Sequence, residues 1–149
     1  MEEFIDQIDQ QIIQLLLTNS KLGTKEIASK IGLTVTPTFE RIKRLERRGV
    51  IVGYSAKINR KKIGKGLQVY CQTSLKSHNL ELIEQFEQSI VELEEVVSCH
   101  HIAGNIDYLL YIEVADMEEY QQFLRNKLAT IPNIANVQTS FVMRTLKEG

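Results

Sequence analysis

Basic and hydroxyl side chains are concentrated between positions 34 and 47 of the chain, which has 149 residues. Guanidinium and ammonium groups bind phosphates, and threonine hydroxyls bind phosphates or base edges. Such a set would suit a nucleic acid, although a run of charges on a helix is more often a solvated face. The side chains that we predict to contact double-stranded DNA are Thr34, Thr36, Thr38, Arg41, Lys43, Arg44 and Arg47.

The charge of the chain is divided unevenly between its two halves. Positions 1–66 carry 13 Lys and Arg against 7 Asp and Glu, a net charge of +6. Positions 67–149 carry 5 against 12, a net charge of −7, so the formal charge of the whole chain is only −1. The asymmetry predicts two domains with different partners, of which the basic domain faces a polyanion.

Three short helices are expected to position the basic residues. Apolar residues recur at helical spacing over positions 6–18, and a second stripe begins at Thr24, its expected N-cap, and ends at Gly32. A third helix would begin at Thr34 and end at Gly49. Two helices joined by a tight turn with glycine are typical of a helix-turn-helix, whose second helix enters the major groove.

The first domain is expected to end with a short strand or wing at positions 50–58. We therefore predict a winged-helix-like DNA-binding domain over residues 1–58. Positions 59–66 are basic and contain glycine, which favours a linker to the second domain.

The second half, residues 67–149, predicts an α+β domain. Apolar residues alternate over positions 67–75, as in a strand with one buried face. The elements expected after it are a helix over 79–93, strands over 96–103 and 108–115, a helix over 116–128 and a strand over 137–146. The order βαββαβ is that of a ferredoxin-like domain. Both helices would cover one face of the sheet, and oligomerisation could cover the other. Tyr70, Tyr111 and Phe141 are candidates for that open face, and each could equally be a core residue under the helices.

The residues that would mark an enzyme or a metal site do not form a suitable set. His100 and His101 are adjacent in an expected strand, so their side chains point to opposite faces and cannot hold one metal. His78 has no evident partner, and the sequence contains no zinc-type spacing or phosphate loop. We therefore expect no catalytic residues, no metal and no cofactor other than an effector.

The cysteines, the start of the chain and its apolar runs predict a cytoplasmic protein. Cys71 and Cys99 lie in apolar, strand-like stretches and are expected to be small buried side chains. The start at positions 1–4 is acidic, where a signal peptide would be basic. No apolar run approaches the roughly 18 residues of a membrane-spanning helix.

Segments along nearly the whole chain resemble those of one family. In the first half these are Ile5 to Asp9, Gly32 to Pro37, Arg41 to Glu46 and Gly53 to Ala56. In the second half they are Cys99-His100, Gly104 to Leu110, Ile131-Pro132 and Thr139. Together they resemble the leucine-responsive regulatory protein/asparagine regulator (Lrp/AsnC, or feast/famine) family of transcription regulators.

The resemblance implies partners that composition and spacing do not show. Members of the family dimerise through their C-terminal sheets, often assemble further into octamers, and bind amino acids between dimers at a Gly-x-x-Asp-Tyr turn. The effector-binding residues that this implies are Gly104, Asn105, Asp107, Tyr108 and Thr139. Asn105 departs from the family, which commonly has an Asp there, and the lost charge could change how an ammonium is held. From the residues alone, positions 104–107 are better explained as an ordinary hairpin turn, and the resemblance reverses that preference.

Two functions remain after these exclusions. The first is a sequence-specific transcription regulator whose assembly or DNA affinity responds to a small molecule, expected to be an amino acid. The alternative is an architectural DNA-binding protein without an effector, in which the second domain only assembles the oligomer.

Overall fold

The computed structural model describes residues 5–147 and divides into two compact units at Ile58/Asn59. The acidic start at positions 1–4 lies outside the described residues, as do positions 148–149. Within the described part, no helix is long and apolar enough to cross a membrane.

The first unit is a bundle of three helices. They are α1 (Gln7–Thr18), α2 (Thr24–Ile31) and α3 (Val35–Arg47). Each helix presents an apolar stripe to a shared core, whose buried centre consists of Ile12, Ile27, Ile42 and Leu45. The expected helix-turn-helix, formed by α2 and α3, is present.

The helix ends follow from local hydrogen bonding and backbone geometry. Asp6 is the N-cap of α1, and its carboxylate accepts the Asp9 N–H at 2.8 Å. At α2 the N-cap is Gly23 rather than Thr24, because the Glu26 carboxylate reaches back to the Gly23 N–H at 2.9 Å.

The turn between α2 and α3 depends on Gly32. This residue caps α2 with φ 72°, a left-handed conformation that glycine adopts without a Cβ penalty. Thr34 is the N-cap of α3, as expected, but its side chain makes no capping hydrogen bond. Gly49, with φ 68°, follows the end of α3, in agreement with its expected role as the stop.

Of the short strand or wing expected at positions 50–58, the strand is absent. This segment is fully described and contains no strand, because a strand requires a hydrogen-bonded neighbour. The N–H groups of Val50 and Ile51 instead donate to the Leu45 carbonyl at 3.0 and 3.2 Å, which turns the chain back onto the end of α3.

The second unit has the expected α+β, ferredoxin-like architecture. Positions 59–66, expected to be a linker, include a 3₁₀ turn, Arg60–Ile63. The elements that follow are β1 (Leu67–Leu75), α4 (Leu80–Val91), β2 (Val96–His101), β3 (Tyr108–Val114), α5 (Met117–Asn126) and β4 (Ile134–Phe141), with a 3₁₀ turn at Leu128–Thr130. The sheet is antiparallel with the order β2-β3-β1-β4, in which the two outer strands follow the two helices.

The last strand lies earlier in the sequence than expected. We expected positions 137–146, whereas β4 pairs with β1 from Leu75↔Ile134 to Val69↔Phe141. The ladder closes with the Val142 N–H donating to the Gln68 carbonyl at 3.0 Å. Because β1 begins at position 67, the chain beyond has no further strand to pair with.

The helices of the second unit cover only one of the two faces of the sheet. Both helices pack on one face, where their aromatic residues meet the buried Val69, Cys71 and neighbouring strand residues. On the other face the rings of Tyr70 and Tyr111 lie 5.0 Å apart, as expected. For Phe141 the alternative, a position under the helices, is correct. Phe141 pairs with Val69 and therefore points to the helix side, where its ring meets Tyr120 at 5.4 Å.

Candidate nucleic-acid interface and effector turn

Helix α3 exposes a polar and basic stripe opposite its core residues. Thr36, Glu40, Lys43 and Arg47 are exposed and recur every three or four residues, so they share one side of the helix. Thr34 is also exposed, directly before the first turn. Exposed hydroxyls at the N-terminus followed by cations along one side match the groups that meet base edges and phosphates.

The structure corrects the prediction that Thr38 contacts DNA. Its side chain is fully buried, and its hydroxyl donates to the Thr34 carbonyl at 2.9 Å. Thr38 lies four residues before Ile42, on the core side of α3. Its hydroxyl therefore stabilises the first turn of the helix and is not exposed on the surface of α3.

Arg41 and Arg44 lie on the flank of α3 that meets the beginning of α1. Arg41 Nη1 lies 2.6 Å from Asp6 Oδ2 and 2.8 Å from Asp9 Oδ1. Arg44 Nη2 lies 2.8 Å from Asp9 Oδ2 and 3.1 Å from Oδ1. The Asp9 side chain is fully buried, so both arginines compensate a charge that water does not reach.

The hydrogen bonds of these ion pairs shift the pKa values of Asp6 and Arg41. The Asp9 N–H and then the Arg41 guanidinium lower the pKa of Asp6 below its ordinary value. Hydrogen bonds to Asp6 and then Asp9 raise the pKa of Arg41. Asp6 and Arg41 are therefore both charged at neutral pH.

Lys43 belongs to a looser surface cluster. Its Nζ lies 2.7 Å from Glu46 Oε2 and 5.7 Å from the centre of the Phe39 ring. Tyr54 OH donates to the other oxygen of Glu46 at 2.8 Å, and the Lys43 and Tyr54 hydrogen bonds lower the pKa of this carboxyl. Exposed pairs at i,i+3 are weak, so a phosphate could replace Glu46 as the partner of Lys43.

The predicted effector turn lies between β2 and β3, at positions 102–107. Gly104 and Asn105 are exposed, and the N–H groups of residues 103–106 have no hydrogen-bond partner within residues 5–147. The ends of the turn are fixed: the Ile102 N–H donates to the Asp107 carbonyl at 2.9 Å, and the Asp107 N–H donates to the Thr73 carbonyl at 3.0 Å.

The Asp107 carboxylate already has two partners. Oδ2 accepts the Leu75 N–H at 2.7 Å, and Oδ1 lies 2.8 Å from His78 Nε2. These two hydrogen bonds, first that of Leu75, lower the pKa of Asp107. Asp107 therefore attaches the turn to the end of β1, and an ammonium would share it with His78.

Tyr108 and Thr139 are not side by side with the exposed turn. Tyr108 is buried, its OH donates to Glu87 Oε1 at 2.6 Å, and its ring lies 4.6 Å from those of Phe86 and His101. Thr139 is on the outer strand β4, where its hydroxyl lies 2.6 Å from Tyr120 OH. The structure thus brings Gly104, Asn105 and Asp107 together, supports them with Tyr108, and leaves Thr139 apart.

The sequence did not reveal two partners of the site residues: Asp9, which binds the arginines of α3, and His78, which contacts Asp107. The burial of Asp9 was not anticipated, although its spacing to Ile12 and Leu16 places it on the buried side of α1. His78 lies 29 positions before Asp107, and no local pattern reveals this contact. Within residues 5–147, no group of three or more His, Cys, Asp or Glu could hold a metal ion.

Comparisons with known proteins agree with these two units. Residues 5–52 match the family model of a winged helix-turn-helix DNA-binding domain, and residues 68–149 match that of the Lrp/AsnC ligand binding domain. The two matches define a transcription regulator with a DNA-binding and a ligand-binding part. The chain belongs to the Lrp/AsnC family.

Named relatives cover nearly the full chain. The Bkd operon transcriptional regulator of Pseudomonas aeruginosa is 33% identical, over 95% of this chain and 93% of its own. The leucine-responsive regulatory protein of Haemophilus influenzae is 38% identical, over 97% and 87%. Among solved structures, the regulator NMB0573 of Neisseria meningitidis, in complex with L-methionine, has a TM-score of 0.93 at 29% identity, covering 97% and 94%. A feast or famine regulatory protein from M. tuberculosis, also with L-methionine, has a TM-score of 0.86 at 27% identity, covering 97% and 96%.

Proposed function

We propose that α3 binds in the major groove of double-stranded DNA and that Thr34, Thr36, Lys43 and Arg47 make its contacts. The observation that carries this proposal is the exposed stripe of α3, on which hydroxyls lead and cations follow. A DNA partner would also place the protein in the cytoplasm. Position along α3 favours base contacts for the threonines, because the N-terminal residues of a recognition helix reach the base edges.

The dependence of DNA affinity on salt tests the role of the stripe. A duplex selected by the protein from a random pool would be the ligand, and the logarithm of affinity would be plotted against that of salt concentration. Each phosphate contact contributes about −0.9 to the slope, so Lys43→Gln and Arg47→Gln should each flatten it by about that amount. Lys76→Gln, an exposed lysine of the second unit, is the matched control. Unchanged slopes for Lys43→Gln and Arg47→Gln would contradict the proposed interface.

We further propose that the turn at 102–107 binds an amino acid that changes DNA affinity or assembly. Two solved relatives were crystallised with L-methionine, which supports this class of effector. The N–H groups of residues 103–106 are available to a carboxylate, and the Asp107 carboxylate lies at the end of the same turn. Asn105, which lacks the charge common in the family, would hold an ammonium less strongly.

Thermal-shift measurements against the twenty amino acids test this second proposal. At least one amino acid should raise the melting temperature, because a ligand that binds only the folded state stabilises it. Asp107→Asn should lower the affinity for that amino acid, whereas Glu84→Gln on the exposed surface of α4 should not. If none of the twenty shifts the melting temperature, the architectural alternative becomes the better function.

We propose that the sheet face bearing Tyr70 and Tyr111 forms a homodimer and that dimers assemble into an octamer. Tyr70 is 41% exposed on a face that the two helices do not cover. Under it, Tyr111 OH donates to Glu113 Oε1 at 2.9 Å, and Arg60 Nε lies 3.2 Å from the same oxygen. Aromatic residues are enriched at the centre of protein interfaces, which supports a second copy as the cover of this face.

A further inference from the structure

The buried carboxylate of Asp9 is the strongest unexplained feature of the DNA-binding unit. It accepts hydrogen bonds from Arg41 Nη1 at 2.8 Å and from Arg44 Nη2 at 2.8 and 3.1 Å, and its side chain is fully buried. A buried charge that loses its partners is strongly destabilising, so a carboxylate at this position requires these cations. The two arginines therefore have a task inside the protein.

The direction in which Arg41 and Arg44 point separates them from the exposed stripe of α3. At about 100° per residue, Arg41 is roughly 140° around the helix from Thr36, and Arg44 roughly 80°. Arg47 and Lys43, by contrast, fall within about 20° of Thr36. The side chains of Arg41 and Arg44 are 24% and 36% exposed, and both reach toward the first turn of α1.

The two contacts also fix the rotation of α3. Arg41 and Arg44 are almost one helical turn apart and attach to the same carboxylate, so a rotation of α3 about its axis would break at least one contact. Asp6 adds a third contact, 2.6 Å from Arg41 Nη1. Because Thr34 and Thr36 lie at the leading end of the same helix, this rotation determines where their hydroxyls face.

We propose that Asp9, assisted by Asp6, is a positioning residue for DNA recognition, which holds Arg41 and Arg44 against α1 and away from phosphates. The proposal rests on the proposed DNA-binding function of α3. It divides the basic residues of this helix into two groups: Lys43 and Arg47 bind DNA, whereas Arg41 and Arg44 orient the helix and are neutralised by carboxylates. If Arg41 and Arg44 were free, they would attract any duplex regardless of its sequence. Their neutralisation by carboxylates therefore favours binding that depends on the DNA sequence.

The arginine variants test this division. With the full-length protein and the selected duplex, Arg41→Gln and Arg44→Gln should leave the salt slope unchanged, whereas Lys43→Gln and Arg47→Gln should each flatten it by about 0.9. If Arg41→Gln and Arg44→Gln flatten the slope by the same amount, both arginines bind phosphates and the proposal is overturned. If the unaltered protein shows no salt-dependent binding, the proposed function itself fails, and this role with it.

The aspartate variants test the positioning role from the other side. Asp9→Asn keeps the size of the side chain but removes its charge, which releases one or both arginines to the solvent. The salt slope should then steepen by about 1 to 2, and the ratio of affinities for selected and scrambled duplexes should fall. Asp6→Asn, which affects only an exposed contact of Arg41, should steepen the slope by about 1 at most.

A purely structural role for Asp9 would give a different result. Asp9→Asn would then lower the melting temperature but leave the slope and the affinity ratio unchanged, which would overturn the proposal. The double variant Asp9→Asn/Arg44→Gln replaces the charged pair by two amides and should reverse the steepening by about 1. If Asp9→Asn does not fold, Asp6→Asn and the single arginine variants still decide the question, since each leaves the Asp9 carboxylate with at least one arginine partner.

Discussion

Asp107 is the residue on which the geometry of the effector turn depends most. Its carboxylate accepts the Leu75 N–H at the end of β1 and contacts His78 just before α4. One side chain thereby joins three parts of the second unit. Tyr108, next in the chain, anchors the turn from below through its hydrogen bond to Glu87.

The lowered pKa of Asp107 predicts how stability depends on pH. An aspartate in an unfolded chain titrates near 3.9, and the Leu75 N–H and His78 hold the pKa of Asp107 lower in the folded protein. Its ionised form thus stabilises the fold fully above about pH 4, and this stabilisation is lost as the pH falls through the folded-state pKa. Asp107→Asn should melt at a lower temperature than the unaltered protein at pH 7, and the difference should narrow toward pH 3. A difference in melting temperature that does not change with pH would contradict the stabilising role of ionised Asp107. A difference of the same size for Glu84→Gln would also contradict it.

The hydroxyl cluster between α5 and the sheet supports a second prediction. Tyr120 OH lies 2.6 Å from Thr139 Oγ1 and 3.2 Å from Cys71 Sγ. Tyr120→Phe keeps the ring but removes these hydrogen bonds, and should lower the free energy of unfolding by about 1 kcal/mol in urea denaturation. Gln121→Ala on the exposed side of α5 is the control. A Tyr120→Phe protein as stable as the unaltered one would show that the cluster contributes no net stability.

At the level of elements, the turn between α2 and α3 sets the helix-turn-helix. Gly32 adopts φ 72°, and a Cβ built there would meet nothing within 4 Å. Gly32→Ala should therefore cost only the backbone penalty of the left-handed conformation, about 1 kcal/mol in urea unfolding. Gly53→Ala, also in open space but without a positive φ, should be neutral. Equal stabilities for the two variants would contradict the role of Gly32.

The elements were predictable where a local rule was strong. Strict alternation over Leu67–Leu75 gave β1 with the observed bounds, and the glycine stops gave the ends of α2 and α3. The errors and the open alternative for Phe141 concern features that depend on pairing across the chain. The end of β4, the side of Phe141 and the missing strand at 50–58 are all decided by which neighbouring strand is available. The contacts of Asp9 and Asp107 likewise join residues about thirty positions apart, which no local pattern shows.

At the level of the whole molecule, the open face of the sheet decides assembly. Tyr70→Glu would place a charge in the centre of the proposed dimer interface, where desolvating it is costly. We expect this variant to lose dimers and larger assemblies in size-exclusion chromatography with light scattering. Leu80→Glu, at an exposed leucine of α4 on the other side of the sheet, should keep them. A fully assembled Tyr70→Glu protein would exclude this face as the interface.

The central claim is that a small molecule bound by the second unit controls DNA binding by the first. The most direct test is the affinity of the intact protein for its selected duplex, measured by fluorescence anisotropy as each amino acid is titrated. We predict that at least one amino acid changes the affinity about 5-fold or more, and that Asp107→Asn reduces this change while its affinity without effector stays the same. A DNA affinity that none of the amino acids alters would contradict the account.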